Sequence, residues 1–244
     1  MASQAAEQPP LPIELPVTES IVMTDRDELY VSPTIQFFRL PGEKRLMIPA
    51  ELAYGFTDRL QLVTEVPYAL VNPDAGHVTS GIGDVSVATR YSVVDYRERP
   101  FGLDVGVGLQ LPTGDRRRDL GAGRVAVEPS FTASAWLGHI NAQANAGWVH
   151  ALRNAGHSWD DEGEYNVALV YPIYRWFVVM EGDGETDRDG TKYYLTPGLV
   201  WKTTDRLELR VAVPSPVTRA AGDYGLIAGF TFEFEHLLHA IDGG

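Results

Sequence analysis

The chain has 244 residues, a formal net charge of −13 and no cysteine. This acidic balance argues against a nucleic-acid partner, because phosphate binding requires clustered Lys and Arg. No apolar stretch reaches the ~20 nearly uninterrupted residues of a membrane-spanning helix, and the length suits one large β domain as well as two small ones. The lack of cysteine fits a chain that crosses an oxidising compartment without a disulfide framework.

The first stretch of the chain, residues 1–26, is rich in proline and precedes the first strand-like pattern. It lacks the charged and apolar regions of a secretory signal, so we expect the signal peptide of an exported protein to have been removed already. The sequence therefore predicts a mobile N-terminal periplasmic leader over this range.

Apolar and polar residues alternate with a period of two from residue 27 to residue 235, which is typical of β-strands with two different faces. The alternation divides into about twelve segments, at 29–40, 44–55, 60–70, 83–93, 101–111, 126–136, 139–150, 163–171, 174–182, 192–202, 206–214 and 223–234. None of them has a helical period, and the chain ends in a short C-terminal tail, 236–244. The sequence therefore predicts an all-β domain over 27–235.

The links between these segments alternate in length, apart from the short link 41–44 between the first two. The short links are 56–59, 95–100, 137–139, 172–173 and 203–206, and the long ones are 71–82, 112–125, 151–162, 183–191 and 215–222. Bacterial outer-membrane barrels have short periplasmic turns, longer external loops and an even number of strands. A soluble sandwich has no comparable reason to keep its long loops at one end.

Each segment has one apolar and one polar face. In ELAYGFTDRLQLVTEVPY (51–68), for example, Leu62 and Val66 alternate with Gln61 and Glu65. This alternation fits a sandwich with a dry apolar core, and it equally fits a membrane barrel whose polar face surrounds a lumen. In the barrel, the charged candidates for the lumen are Arg45, Glu51, Glu65, Asp84, Arg90, Asp104, Glu128, Arg175, Glu181, Glu208 and Arg210.

Aromatic residues favour the barrel. Trp176 and Trp201 lie near short links, whereas Trp148 and Tyr193 belong to a looser group near the long ones. Amphipathic rings prefer the membrane–water boundary, and two belts of rings around an aliphatic band are typical of outer-membrane barrels. The sequence thus predicts an antiparallel transmembrane β-barrel of about 12 strands in the cell outer membrane, in contact with its lipids and lipopolysaccharide. An open lumen with excess acid would favour cations.

Two stretches, SGIGDVSVATRYSVV (80–94) and FGLDVGVGLQLPTGDRRRDLGAG (101–123), carry a family resemblance. Their motif residues are Gly81, Gly83, Asp84, Pro112, Thr113, Gly114 and Asp115. The order of these motifs resembles the outer-membrane barrel family labelled "MetA-pathway of phenol degradation", and the resemblance covers most of residues 45–234. It implies an outer-membrane β-barrel that takes up small solutes, with hydrophobic or aromatic compounds as candidates.

The acidic loop 182–190 spaces Asp183, Glu185, Asp187 and Asp189 at alternate positions, as calcium loops do. Arg188 stands where the helix-loop-helix calcium site needs glycine, so a solvated loop is the favoured interpretation and no metal is predicted. The chain has no G-x-S-x-G motif and no evident Ser/His pair. The sequence therefore predicts neither an enzyme nor a cofactor.

Four functions remain open at this stage. The favoured one is a channel or transporter for small solutes, and the alternative is a closed structural or partner-binding barrel that engages a periplasmic protein. A membrane-embedded enzyme and a soluble lipocalin-like carrier are less favoured, because no catalytic group stands out and because the aromatic residues cluster at the strand ends.

Overall fold

The computed structural model describes residues 10–152, 161–187, 190–218 and 224–235. Its strands are β1 (Leu29–Leu40), β2 (Glu43–Thr57), β3 (Leu60–Pro73), β4 (Thr79–Ile82), β5 (Val85–Val94), β6 (Phe101–Leu111), β7 (Ala126–Leu137), β8 (Ile140–Ala151), β9 (Glu162–Ile173), β10 (Trp176–Asp187), β11 (Gly190–Lys202), β12 (Leu207–Ala212), β13 (Ser215–Pro216) and β14 (Tyr224–Phe234). One 3₁₀ turn, Arg116–Arg118, lies in the link between β6 and β7. Within the described ranges there is no helix long and apolar enough to cross a membrane.

These strands form one closed antiparallel barrel. Twelve of them pair with their neighbours along the chain, and the ring closes where β1 pairs with β14. The short strands β4 and β13 are additions that pair with β3 and β11. The predicted all-β antiparallel barrel of about twelve strands is therefore confirmed.

Several strand ends differ from the sequence prediction. The link 71–82 was expected to be a long loop, but β3 continues to Pro73 and β4 pairs with its end. In the same way, much of the expected loop 183–191 extends β10 and β11, which pair as far as Asp187 and Gly190. The backbone at these ends gains ladder hydrogen bonds, which an acidic composition does not reveal.

The outer wall of the barrel is apolar, and its inner face is polar. Along β6, for example, Val105, Val107 and Leu109 are exposed, whereas Asp104, which precedes them, is buried. The apolar residues of the outer face therefore do not meet in a dry centre, as they would in a sandwich. Because the exposed wall is continuous and aliphatic, it suits acyl chains rather than water.

Rings border this wall at both ends. Trp176 and Trp201 stack with centroids 4.8 Å apart near the turns between β9 and β10 and between β11 and β12, at what we call the short-turn end. At the opposite, long-loop end, the Tyr165 hydroxyl lies 2.9 Å from that of Tyr193. The two groups of rings lie where the sequence analysis expected two belts.

Candidate functional site: the plugged lumen

The lumen is occupied by residues 10–26, which we call the plug. Leu11, Ile13, Leu15 and Ile21 are buried there, with Ile21 fully enclosed. The Ser20 hydroxyl donates a hydrogen bond to the Pro12 carbonyl over 3.1 Å, so the segment folds back on itself inside the barrel.

The prediction of a mobile periplasmic leader over 1–26 needs correction for residues 10–26, which lie inside the barrel. They line the inside of the wall because their apolar side chains and backbone N–H groups find partners there. Residues 1–9, and the predicted tail 236–244, lie outside the described part of the chain.

One side of the plug packs on an apolar patch of the inner wall. Leu11, Leu15 and Ile21 form a cluster with buried residues of β9, β10 and β11, which are Ala168, Val170, Phe177, Val179 and Val200. These wall residues interrupt an otherwise polar lumen face. The plug therefore removes from water an apolar surface that an empty lumen would leave wet.

Wall side chains also accept hydrogen bonds from the plug backbone. The N–H of Ile13 donates to Glu208 Oε2 over 2.8 Å, and that of Thr18 donates to Glu181 Oε1 over 2.7 Å. In the same way, the amide oxygens of Gln143 and Gln61 each accept a 2.8 Å hydrogen bond, from the N–H groups of Ile21 and Thr24. A segment outside any sheet must find such partners when it is buried, and the lumen side chains supply them.

The plug is rooted at the short-turn end, on β2. Arg26 forms a parallel bridge with Gly55, and the N–H of Asp27 donates to the Gly55 carbonyl over 2.9 Å. A Cβ atom at Gly55 would collide with the Asp25 carbonyl oxygen. The absence of a side chain at this position therefore lets the plug pass close to the wall.

The other side of the plug faces a charged central cavity of about 230 Å³. Its charged lining residues are Glu14, Glu19, Glu51, Glu65, Arg90 and Arg210. Arg90 contacts Glu19 at 3.1 Å and Asp104 at 2.7 Å, and it also donates to the Ser20 carbonyl. Arg210 donates to Thr231 over 2.7 Å and also to Thr34. Carboxylates outnumber guanidinium groups in this cavity, so it is acidic.

A vestibule lies at each end of the lumen. The one at the long-loop end has a volume of about 680 Å³ and includes Arg45, Glu164 and Lys192, and the one at the short-turn end has about 900 Å³ and includes Tyr96 and Arg97. Val17 and Gln36 line both the central cavity and the long-loop vestibule, so those two spaces adjoin.

An apolar cluster separates the central cavity from the short-turn vestibule. Ile13, Tyr30 and Ala53 are buried together, and Val63 packs against them. Ile13 and Tyr30 line the vestibule, whereas Val63 lines the central cavity. The apolar cluster therefore lies between the two spaces, and apolar constrictions of this kind exclude water.

Ionisable groups interact closely at the short-turn end. Burial favours neutral Asp95, but hydrogen bonds from Arg97 outweigh it and hold the pKa of Asp95 below its ordinary value. Arg97 also pairs with Asp25 of the plug. Burial, together with repulsion from Glu233 and Asp25, raises the pKa of Glu28 to about 7.

The predicted lumen residues occupy different places. Glu51, Glu65, Arg90 and Arg210 line the central cavity, Asp104 pairs with Arg90, Glu181 and Glu208 hold the plug, and Arg45 lies in the long-loop vestibule. Glu128 lies beside Gly147, where a Cβ would be 2.8 Å from its Oε1 atom. Arg175 lies in the turn between β9 and β10, with its Nη2 atom 3.0 Å from Asp205.

Asp84 and the other motif residues fix the loop between β6 and β7. The Asp84 carboxylate accepts hydrogen bonds from the N–H groups of Gly114, over 2.9 Å, and Ala122, over 2.6 Å. Thr113 donates to the Gly83 carbonyl over 2.8 Å, and Asp115 accepts from the Arg117 N–H over 2.9 Å. Of the remaining motif residues, Gly81 lies against Leu120, and Pro112 directly follows β6. These motif residues therefore fix the conformation of the link between β6 and β7, at the long-loop end of the barrel.

The acidic residues considered for calcium have other partners. Lys192 Nζ lies 3.1 Å from Glu185 and 3.0 Å from Asp187, and Thr196 donates to Asp183 over 2.5 Å. Asp189 is not among the described residues. Across the described part of the chain, no three His, Cys, Asp or Glu side chains are arranged to hold a metal ion.

A closed barrel with an apolar outer wall, belts of rings and a polar lumen defines the fold class of outer-membrane β-barrels. The chain belongs to the family described as "Putative MetA-pathway of phenol degradation", which matches residues 45–234. The suspected family resemblance is therefore confirmed.

Solved structures share the fold. The chain is similar to the COG4313 outer membrane channel from Pseudomonas putida F1, with a TM-score of 0.67 and 15% identity over 91% of this chain and 100% of that chain. It is also similar to the NanC porin, with a TM-score of 0.58 and 10% identity over 84% of this chain and 98% of that chain. For the KdgM porin the TM-score is 0.55, with 12% identity over 85% of this chain and 99% of that chain. No curated protein sequence matches the chain.

Proposed function

We propose that this protein is a channel of the cell outer membrane for small solutes, and that the plug narrows its axial path. The observation that carries the proposal is the acidic central cavity, which adjoins one vestibule directly and is separated from the other by four apolar side chains. A barrel with a purely structural role has no need for a charged cavity on its axis. The long-loop vestibule opens to the cell exterior in this proposal, since outer-membrane barrels keep long loops outside.

Small aromatic compounds are the proposed solute class. The family description names phenol degradation, and rings such as Phe38 and Tyr194 line the long-loop vestibule beside Arg45 and Lys192. Rings bind aromatic solutes by stacking, and the charged groups orient a hydroxyl or a carboxylate. Cations are the proposed inorganic ions, because the central cavity is acidic.

Planar-bilayer recordings of the purified protein test this proposal. We expect small, cation-preferring current steps that shift when catechol or phenol is added to the long-loop side. A bilayer that stays silent at every voltage, with the same protein folded by heat-modifiable gel mobility, would contradict the channel.

A closed, partner-binding barrel is the second candidate. The observation in its favour is the extent to which the plug fills the lumen, with apolar packing on one side and backbone hydrogen bonds to four wall residues. The short-turn vestibule, which includes Lys202, Glu233 and Glu235, is the face that a periplasmic protein would meet. Silent bilayers combined with specific capture of one periplasmic protein by this end would favour it.

A further inference from the structure

The long-loop vestibule carries more acid than base. Its acidic and basic lining residues are Glu43, Arg45, Glu164, Asp183, Glu185 and Lys192. Both cations are already paired, since Arg45 Nη2 lies 2.8 Å from Glu43 Oε1 and Lys192 Nζ lies 3.1 Å from Glu185 Oε1. An anionic solute must therefore displace a carboxylate before it can pair with either cation.

Asp183 offers an acceptor at this vestibule. Its Oδ2 atom accepts a 2.5 Å hydrogen bond from the Thr196 hydroxyl, but its Oδ1 atom has no hydrogen-bond partner among the described residues. The residue lines the vestibule and is only 7% exposed. Because a buried carboxylate oxygen without a donor is costly, a solute that donates to it is stabilised at this position.

Glu164 lies among other carboxylates of the same wall, and no cation in the described part of the chain pairs with it. Its register partners are Glu185 on β10 and Gly147 on β8. The space over Gly147 is taken by a further acid, because a Cβ there would lie 2.8 Å from Glu128 Oε1. Like charges at directly opposite positions are destabilising, and Lys192 meets only the Glu185 end of this row. A bound cation would relieve the repulsion at Glu164.

Aromatic rings lie beside these carboxylates. Tyr194 on β11 is the register partner of Asp183, and the Cβ atoms of such partners are ~5 Å apart. Phe38 of β1 meets the Tyr194 ring edge to face, with centroids 6.3 Å apart. Leu40 and Met47 add apolar lining. The vestibule therefore combines an apolar, aromatic flank with carboxylates, in a volume of about 680 Å³ that suits a small ligand.

We propose that the long-loop vestibule binds protonated arylalkylamines in preference to neutral aromatic alcohols and aromatic carboxylates. The proposal rests on the proposed channel function and narrows its aromatic solutes to one charge type. An ammonium group supplies three N–H donors, and a cation is also attracted to the face of an aromatic ring. Asp183 accepts from the ammonium, and Glu164, two residues from the β9 partner of Asp183, adds attraction from a diagonal position ~7–8 Å away.

Three ligands of similar size test the charge type. At neutral pH benzylamine is a cation, benzyl alcohol is neutral and benzoate is an anion. Isothermal titration calorimetry of the purified protein in a non-ionic detergent, with detergent alone as the blank, measures each dissociation constant. Methylamine, as a fourth ligand, presents the ammonium group without the ring. We expect benzylamine to bind roughly 3- to 30-fold more tightly than benzyl alcohol, and benzoate and methylamine to bind more weakly than benzylamine.

Variants locate the binding. Asp183→Asn keeps the shape of the side chain and removes its charge, so it should abolish the preference for benzylamine over benzyl alcohol. Glu164→Gln changes an exposed residue and should reduce the same preference, which covers the case in which Asp183→Asn fails to fold. The matched control is Glu233→Gln in the short-turn vestibule, which should bind benzylamine as the parent does. Phe38→Leu should weaken benzylamine and leave methylamine unchanged.

Several results would overturn the amine site. They are benzoate or benzyl alcohol that binds as tightly as benzylamine, parental benzylamine binding in both carboxylate variants, and methylamine that binds as tightly as benzylamine, which would show a general cation site. Binding in detergent does not depend on conduction, so the test separates this site from the channel. The predicted preference together with silent bilayers would keep the amine site and remove the channel. Current steps without the preference would keep the channel and remove the amine site.

Discussion

The plug has a different environment on each side of the lumen. Toward β9, β10 and β11 the plug buries leucines and isoleucine on an apolar patch. Toward β1, β2 and β3 it leaves a charged cavity that includes Glu51, Glu65 and Arg210. One wall therefore anchors the plug, and the other leaves a polar space beside it. A barrel can therefore be plugged and still keep a polar space along its axis.

Removal of the plug should give the largest effect, because it erases the difference between the two sides. Without residues 10–24, the apolar cluster loses Ile13 and the central cavity merges with both vestibules. We expect single-channel conductance many times that of the parent in planar bilayers. Equal conductance from a folded deletion variant would mean that the plug does not limit the axial path.

The apolar patch that anchors the plug can be tested with two adjacent residues of β10. Phe177 is fully buried under the plug, whereas Val178 is 45% exposed on the outer face. Phe177→Ala leaves a cavity and should lower the free energy of unfolding by about 3–5 kcal/mol. Val178→Ala, measured by the same urea titration in detergent, should change it much less. Equal losses would show that the apolar patch does not hold the plug.

The side of the lumen that holds the central cavity can be tested through its charge. Glu51→Gln combined with Glu65→Gln removes two of the carboxylates that line the central cavity and leaves Arg90 and Arg210 in place. The reversal potential in a salt gradient should move away from cation preference. Glu233→Gln, in the wider short-turn vestibule, serves as the control and should move it less. An unchanged reversal potential in the double variant would exclude the central cavity as the selective region.

The smallest expected effect is a pH dependence of stability, which arises at Glu28, close to the point where the plug joins β1. The folded state holds the Glu28 proton more tightly than the unfolded chain, since its pKa rises from 4.5 to about 7 beside Glu233, Asp25 and Glu235. Stability should therefore fall as the pH rises through that window and level off above it. Glu28→Gln should flatten this part of the unfolding profile. A parental profile in the variant would assign the pH dependence to other groups.

The period of two in the sequence was enough to predict the barrel and its two faces, because side chains on a strand alternate strictly. The positions of the aromatic residues then favoured lipid over a dry core as the environment of the apolar face. The alternation predicts which residues point inward, but it does not predict which segment of the chain packs against each of them. Asp84 was therefore expected to face the lumen, yet it holds the N–H groups of Gly114 and Ala122.

The plug was the main feature that the sequence analysis missed. An extended segment with prolines has no partner strand and no helical period, so no local pattern announces where it lies. Two signals did exist. Leu11, Ile13 and Leu15 alternate with polar or proline residues, and the stretch 166–180 is apolar on both faces, with Val170 and Phe177 pointing inward. An apolar patch inside a polar lumen requires something to cover it.

Cysteine accessibility at Ile21 tests the central claim most directly, because the parent chain has no cysteine. Ile21 is a fully buried plug residue that packs on the wall, whereas Glu98 is exposed in a short turn. In isolated outer membranes, Ile21→Cys should resist a large maleimide reagent that labels Glu98→Cys at once, and it should become reactive after unfolding. Labelling of both positions at the same rate in the folded protein would contradict a lumen filled by its own N-terminal segment.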